Sequence, residues 1–305
     1  MAANPEYNRS LHWWSILLAS CTLLLVVAGG LVTSRDAGLS VPDWPLSYGK
    51  LMPPMEGGIL YEHGHRMVAT TVGILTVVLM IWFFRAEKRR WMRWLGVAAL
   101  IAVIVQGVLG GLTVLMLLPW WISSAHACLA QLFFSTTVAI ALFTSDWWLR
   151  GPSRIDEDPE YPLRALSLGV PFCVLGQLAL GAAARHKAIG VIYHICGSPI
   201  VTAVVLWISL RILLHYAGNR ELRLGAVMLL GITFLQVFLG VAAFMSRVAY
   251  ADAVQPMPVM VTFTVLHVAV GALTMASSVA LAILVRRNLT SPAIQFSRAP
   301  AAATS

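Results

Sequence analysis

The sequence predicts an all-α integral membrane protein whose eight transmembrane helices form two pseudo-symmetric four-helix bundles. Composition is the first reason, because 59% of the 305 residues are hydrophobic and only 11% are charged. In a typical soluble domain about a quarter of all residues are charged. A set of eight long apolar stretches is the second reason. The third is that polar residues recur at matching places in the helices of both halves of the chain, as repeated helical units would require.

The eight apolar stretches define the predicted helices. A helix that spans a bilayer needs about 20 mostly apolar residues. Stretches of this kind lie at 12–33, 62–84, 94–117, 122–146, 164–184, 188–210, 222–245 and 259–285. Arg9 precedes the first stretch, as in a signal peptide, but the stretch is long and no small-residue cleavage site closes it. We therefore expect a retained helix.

The distribution of positive charge predicts the orientation. Fifteen of the 21 lysines and arginines fall on the side that carries both termini, and six fall on the other side. Cytoplasmic loops carry such an excess, so we expect a multi-pass protein of the cell (inner) membrane with cytoplasmic termini. The net charge of +8 follows from this bias and from contact with anionic lipid, and it does not indicate nucleic-acid binding.

The predicted division of the chain follows the eight helices. Residues 1–146 are expected to form the N-terminal bundle, which includes a long outer loop at 34–61. The polar segment 147–163 is predicted to be a cytoplasmic linker, and 164–287 to be the C-terminal bundle. The tail 288–305 is rich in Ala, Ser and Pro, and we expect it to be disordered.

Glutamine–glycine pairs mark equivalent helices of the two halves. The pairs are Gln106 and Gly110, Gln177 and Gly181, and Gln236 and Gly240, and the first helix carries Gly29 and Gly30 at the same depth. Small residues let helices approach closely, and an amide can form hydrogen bonds across the contact. Helix packing is the interpretation we prefer for the glutamines, and a place beside a cofactor is the alternative.

Four histidines lie in the predicted helices at matching positions, near the outer membrane face: His65, His126, His194 and His267. An ionisable side chain in the bilayer is costly and tends to be functional. Each half of the chain carries one pair of these histidines, and a haem iron can bind two histidines, one above and one below the porphyrin plane. Zinc is less favoured, because its ligands cluster as three or four on one site. No role is assigned to the other histidines, which are His12, His63, His186 and His215.

The two halves differ around these histidines. The first half has the loop at 34–61, stiffened by Pro42, Pro45, Pro53 and Pro54, and loops of this length are often functional lids. Glu62 stands three residues before His65, so the two share a helix face, and the second half has no equivalent carboxylate. A buried carboxylate can act as a base or stabilise developing positive charge. The alternative is a solvated glutamate favoured by the helix dipole.

Five basic residues lie on the side that should be poor in positive charge: Arg35, Arg66, Arg185, Lys187 and Arg247. A haem carries two propionates, and arginine and lysine form strong charge-assisted hydrogen bonds with such groups. We therefore expect these residues to be candidate propionate contacts.

Over nearly its whole length the chain resembles the haem A synthase family of bacteria and mitochondria. The resemblance depends on Gly38-Leu39-Ser40, Pro42-Asp43-Trp44-Pro45 and Pro53-Pro54 in the loop, on Glu62-x-x-His65-Arg66, and on the three later histidines. The loop and the Glu-x-x-His-Arg motif together are specific, whereas the glutamine–glycine pairs alone are not.

The resemblance implies that the chain oxidises the C8 methyl group of haem O to the formyl group of haem A, by two successive hydroxylations, for cytochrome oxidase. It implies that His194 and His267 are the axial ligands of a resident haem b, which passes electrons. It also implies that His65 and His126 hold the substrate haem and that Glu62 is required for turnover. Haem O synthase and cytochrome oxidase assembly factors are the implied protein partners.

One feature departs from the family pattern. Many bacterial members carry a cysteine pair in the first outer loop, and here Val41 and Ser47 stand at those places. A di-haem b electron-transfer cytochrome is the alternative function, but it explains neither Glu62 nor the long loop. A transporter with repeated halves is a weaker alternative, because it would place polar residues at the membrane midplane.

Overall fold

A computed structural model describes residues 7–158, 160 and 162–290, and within them the chain forms nine helices and a two-stranded parallel sheet. The elements are α1 (Arg9–Ser34), α2 (Gly57–Ala86), α3 (Arg90–Leu115), α4 (Trp120–Thr144), α5 (Asp146–Leu149), β1 (Ile155–Asp156), α6 (Leu163–Arg185), α7 (Val191–His215), α8 (Arg220–Ala249), α9 (Pro258–Asn288) and β2 (Leu289–Thr290). All helices except the short α5 are long and apolar enough to cross a membrane. The predicted all-α membrane protein with eight spanning helices is therefore confirmed.

Local sequence signals explain where several helices begin. Asn8 precedes α1 and accepts a hydrogen bond from the Leu11 backbone N–H at 3.0 Å, which satisfies one of the free donors of the first turn. Asn219 caps α8 in the same way through Leu222. Pro258 opens α9, at a position where its missing N–H costs nothing.

The eight long helices contact one another in two rings. In the first ring α1 and α3 each contact both α2 and α4, and in the second α6 and α8 each contact both α7 and α9. Alternate members of a four-membered ring face each other diagonally, so α2 lies opposite α4 and α7 lies opposite α9. The pseudo-symmetry of the two units and their boundaries stay predictions.

Three groups of buried apolar side chains hold these helices together. Leu18, Leu79, Phe83, Met92 and Ile140 belong to the group between α1, α2, α3 and α4. A second group lies among α6 to α9 and includes Ile208, Ile212, Leu222, Leu229 and Val285. A third joins the two rings where α9 contacts α1 and α4, through Val26, Phe134, Ala272 and Ala276.

The described part of the predicted linker is attached to the end of α9. The Arg287 guanidinium lies 4.1 Å and 4.2 Å from the ring centres of Trp147 and Trp148. Asn288 donates to Glu221 at 2.8 Å and accepts from the Ser153 backbone N–H at 3.1 Å. Residues 288–290, which were predicted to begin the disordered tail, instead form the last residue of α9 and strand β2, which pairs with β1. The rest of that predicted disordered tail, 291–305, lies outside the described residues.

Candidate functional site

The four predicted histidines lie near the N-terminal ends of α2, α4, α7 and α9 and are half-buried. Their helices are the diagonal pairs of the two rings. In the second ring of helices, the imidazole centres of His194 and His267 lie 6.0 Å apart, and the two imidazole planes are inclined at 82° to each other. The two side chains thus face each other across the centre of that ring of helices.

Each histidine ring lies against a glycine of the preceding long helix. A methyl group added at the glycine would lie 3.2 Å from Cε1 of His65 (Gly29), 3.2 Å from Cε1 of His126 (Gly110), 2.9 Å from Cε1 of His194 (Gly181) and 2.8 Å from Cε1 of His267 (Gly240). Interiors are packed closely enough that a difference of one carbon matters. The glycines therefore form the surfaces against which the four rings are oriented.

The ring nitrogens are held differently in the two halves. Nδ1 of His194 lies 3.1 Å from the Gln177 carbonyl oxygen, and Nδ1 of His267 lies 3.1 Å from the Gln236 carbonyl oxygen. An Nδ1–H that donates to a carbonyl leaves the lone pair on Nε2, which suits a metal ligand. In the first half the backbone carbonyls of Leu25 and Gln106 face the rings of His65 and His126, but neither buried Nδ1 has a hydrogen-bond partner by distance and angle among the described residues.

The glutamines of the glutamine–glycine pairs contact the histidines. Gln106 donates through Nε2 to the His126 carbonyl at 3.0 Å, and Gln177 donates to the His194 carbonyl at 2.7 Å. The Gln236 amide nitrogen lies 3.4 Å from Nε2 of His267. The glutamine amides thus form hydrogen bonds across helix contacts, as the packing interpretation expects, and they do so at the candidate histidines; a place beside a cofactor stays a prediction.

The residues present fit a haem in each ring of helices. Two imidazole nitrogens on opposite sides of one metal ion, each at about 2 Å, put the ring centres about 6 Å apart, and the second pair has that spacing. The first pair presents two buried Nδ1 atoms without a hydrogen-bond partner in the part of the chain that the structure describes. No group of three or more His, Cys, Asp or Glu side chains that could hold a metal occurs among the described residues. A two-ligand site therefore suits an iron whose other ligands come from a porphyrin.

Glu62 is buried, with 4% of its surface exposed. Its Oε1 accepts a hydrogen bond from Arg66 Nη2 at 2.6 Å within an ion pair, and its Oε2 accepts from the Val41 backbone N–H at 2.8 Å. The carboxylate is therefore not the solvated helix-start glutamate that was the alternative interpretation. It joins the beginning of α2 to the outer loop.

The outer loop is packed across α2 and α3. The Trp44 ring lies so close to Gly111 that an added methyl group would be 2.6 Å from it, one residue beyond the glycine that faces His126. Arg66 Nη1 donates to the carbonyls of Asp43 and Leu46 at 2.7 Å and 2.9 Å. Backbone N–H groups of the turn hold the carboxyl of Asp43 and keep its pKa below the usual value. We call residues 35–56 the lid.

His63 is a buried residue that sequence reasoning left without a role. Its Nδ1 lies 2.8 Å from the Ser47 hydroxyl, and its Nε2 is buried without a partner among the described residues. Ser47 is one of the two places where the family pattern led us to expect cysteine, and the other, Val41, is held by Glu62. Because His63 has no counterpart in the second half, the comparison of the halves could not reveal it.

The five basic residues are used in different ways. Arg66 is engaged by Glu62 and the lid carbonyls, which explains its position without a propionate. Arg35 lies over the Tyr61 ring at 5.4 Å, and Arg185 donates to the Ser34 hydroxyl at 2.9 Å. Lys187 lies in the turn after α6 and Arg247 in the last turn of α8.

One further histidine lies in the same turn as Lys187. His186 follows the end of α6 and is half-buried. Its burial lowers its pKa, and the charge of Arg185 lowers it further. The imidazole therefore adds no positive charge to the basic group around it near neutral pH.

Comparison with known proteins identifies related sequences. Residues 12–60 and 57–198 match the family described as cytochrome oxidase assembly protein. A protein of Exiguobacterium sibiricum named heme A synthase is 26% identical over 196 residues, which cover 63% of this chain and 64% of that protein. Proteins of the same name from Symbiobacterium thermophilum, 29% identical (58% and 60% covered), and Beijerinckia indica, 30% identical (45% and 42% covered), are also similar. The aligned part thus spans less than two thirds of each of these relatives.

Proposed function

The chain belongs to the family of cytochrome oxidase assembly proteins, and from this premise we propose that it is a haem A synthase. In this role it is a membrane oxidoreductase that converts the C8 methyl group of haem O into the formyl group of haem A. The observation that carries the proposal is the difference between the two histidine pairs. One pair lies beneath a lid beside a buried carboxylate, and the other has neither.

The N-terminal pair is the proposed substrate site. His65 and His126 hold the iron of haem O. Their Nδ1 atoms have no hydrogen-bond partner by distance and angle among the described residues, so the rings are less firmly oriented, which suits a porphyrin that has to enter and leave. The lid excludes water from the reacting methyl group, which limits side reactions. Two successive hydroxylations of that one carbon would give a gem-diol, which loses water to form the aldehyde. Each hydroxylation removes two electrons and adds one oxygen atom, so an external oxidant and an external oxygen donor are required.

Glu62 is the proposed catalytic residue, because it is the buried carboxylate at this site and lies one helical turn from His65. Oxidation of a methyl group removes hydrogen from carbon, and a carboxylate can accept the proton or stabilise positive charge that develops. Its ion pair with Arg66 and its bond to Val41 orient the carboxylate toward the lid. Release of one of these bonds would free an oxygen atom for the substrate.

The C-terminal pair is the proposed site of a resident haem b, held by His194 and His267. A haem b bound there would supply one-electron transfer. The hydrogen bonds from both Nδ1 atoms to backbone carbonyls support a permanent ligand pair, because such bonds orient a metal-bound histidine. The basic residues Arg35, Arg185, Lys187 and Arg247 are proposed contacts of haem propionates.

The membrane location suits this substrate. Haem O carries a farnesyl-type tail, and a long apolar chain can lie between helices or in lipid. We place both termini in the cytoplasm and both haem sites toward the outer face of the cell membrane, following the distribution of positive charge.

The proposal is tested by expressing the chain with a supply of haem O in a host that lacks its own haem A synthase. Extracted haems are then identified by mass. We expect haem A from the wild-type chain. Glu62→Gln, which keeps an acceptor for the Val41 N–H, should bind haem but lower haem A formation by about 10²-fold or more, with haem O or its hydroxylated product accumulating.

Glu56→Gln is the matched control, because Glu56 is an exposed carboxylate just before α2 with no capping bond. It should leave the yield of haem A unchanged. Normal haem A formation by Glu62→Gln would remove Glu62 from the mechanism. A wild-type chain that holds haem in both sites and forms no haem A would instead indicate the di-haem electron-transfer cytochrome.

A further inference from the structure

The four histidine sites are built on one plan in the preceding helix. The residue four positions before each ring-facing glycine directs its backbone carbonyl toward the histidine ring, and these residues are Leu25, Gln106, Gln177 and Gln236. Three of the four places thus hold glutamine. The exception is Leu25, in the helix that packs against His65.

Helix packing alone does not explain the three glutamines. The amide oxygen of each is buried and has no hydrogen-bond partner among the described residues. Leaving such an acceptor unpaired is unfavourable, and a leucine in the same place would avoid that cost. The contacts that the amides do make are all with histidines: with the backbone carbonyls of His126 and His194 and with the ring of His267.

The four histidines are consequently held to different degrees. His194 and His267 have an Nδ1 bond to a carbonyl, and His194 also receives an amide bond at its backbone carbonyl. The Gln236 amide nitrogen lies 3.4 Å from Nε2 of His267. His126 has the amide bond at its backbone carbonyl. The carbonyls of Gln106 and Leu25 face the rings of His126 and His65, but neither Nδ1 has a hydrogen-bond partner by distance and angle among the described residues. His65 alone has no amide contact, since Leu25 offers no amide.

We propose that Gln106, Gln177 and Gln236 are positioning residues that fix three of the histidines, and that Leu25 leaves His65 as the exchangeable ligand of its pair. This inference rests on the proposed function, in which the N-terminal site takes up a substrate and gives up a product. A resident cofactor needs two firm ligands, whereas a site with turnover needs one ligand that releases the iron. Among the four equivalent positions in the preceding helices, the leucine provides that difference.

The test measures the release of haem rather than catalysis. Purified protein is loaded with haem b, and transfer of haem to excess apomyoglobin is followed by absorbance. We expect a fast phase from the N-terminal site and a slow phase from the C-terminal site. Leu25→Gln should slow the fast phase about fivefold to tenfold, the effect of one added hydrogen bond. Gln106→Leu should speed the same phase, and Gln177→Leu should speed only the slow phase.

Leu24→Gln is the matched control, because it adds the same amide to α1 at a neighbouring position that is 62% exposed. It should leave both phases unchanged. The double variant Leu25→Gln/Gln106→Leu should return the fast phase toward the wild-type rate. The electron paramagnetic resonance signal of the N-terminal haem should shift in Leu25→Gln and stay unchanged in Leu24→Gln.

Equal effects of Leu24→Gln and Leu25→Gln, or a fast phase that Leu25→Gln does not change, would overturn the inference. If the protein makes haem A but gives that result, only the present inference is contradicted. If the release phases respond as expected but no haem A is formed, the proposed function is contradicted and the assignment of the positioning residues stands.

Discussion

The N-terminal and C-terminal histidine pairs lie on equivalent helices, yet their surroundings differ. The first pair lies beneath the 35–56 lid, beside Glu62, and its two Nδ1 atoms have no hydrogen-bond partner by distance and angle among the described residues. The second is bordered between α6 and α7 only by the short 186–190 turn, and both of its rings are tied to backbone carbonyls. Equivalent helices therefore carry two different surroundings, a lid and a buried carboxylate at the first pair and two ring-to-carbonyl bonds at the second.

Removing single histidines should give the largest difference between the N-terminal and C-terminal sites. His194→Ala or His267→Ala should remove most of the resident haem b from the purified protein, because the site that holds it loses one of its two histidines. His65→Ala should keep the C-terminal haem and lose haem A formation. The haem content is measured as the pyridine haemochrome. Equal loss from all four single alanine variants would indicate two equivalent sites and contradict the assignment.

Opening the lid should affect only the first half. Arg66→Leu leaves the buried Glu62 without its partner, a loss worth about 3–5 kcal/mol when one member of a buried ion pair is removed. We expect faster hydrogen exchange at the lid amides, with Val41 among them, and unchanged haem in the C-terminal site.

Arg66→Lys serves as the comparison for that experiment. It keeps the charge, but a single ammonium with three donors replaces the planar five-donor guanidinium that reaches both Glu62 and the lid carbonyls, so the lid should exchange at an intermediate rate. Unchanged exchange at Val41 in Arg66→Leu would show that the contacts of Arg66 do not hold the lid.

Substituting the glycines behind the rings should give the smallest and most graded effect. An added methyl group is closer to the ring at Gly181 and Gly240 (2.9 Å and 2.8 Å) than at Gly29 and Gly110 (both 3.2 Å). Overpacking of this kind costs about 1–3 kcal/mol. Alanine in the second half should therefore displace a ring and lower haem retention, whereas alanine in the first half should be better tolerated. The haem content of each purified variant gives the order of these effects. A larger loss of haem from Gly29→Ala than from Gly240→Ala would contradict the prediction.

The fold was largely predictable because the bilayer imposes length and polarity on each helix. Eight stretches of the required length stand out in the sequence, and all eight correspond to long helices. The histidines were recognisable for the same reason, since ionisable side chains are rare in such helices. Their pairing on diagonal helices follows once the helices contact in rings.

The contacts of the lid were not predictable. Arg66 was interpreted as a propionate contact because of its charge, but its guanidinium binds the carbonyls of Asp43 and Leu46. His63 was given no role, although it is buried against Ser47. Both contacts join residues distant in sequence through backbone groups or an ordinary hydroxyl, which leave no periodicity and no charge pattern to read.

The position of α9 has a consequence for engineering this chain. It is the most buried of the long helices, and it contacts α1 and α4 of the first ring as well as α6 and α8 of its own. The small side chains of Ala272 and Ala276 form part of that shared wall. A gene split within 147–163 would leave the first fragment without one of its walls, so the two fragments should accumulate only when they are produced together.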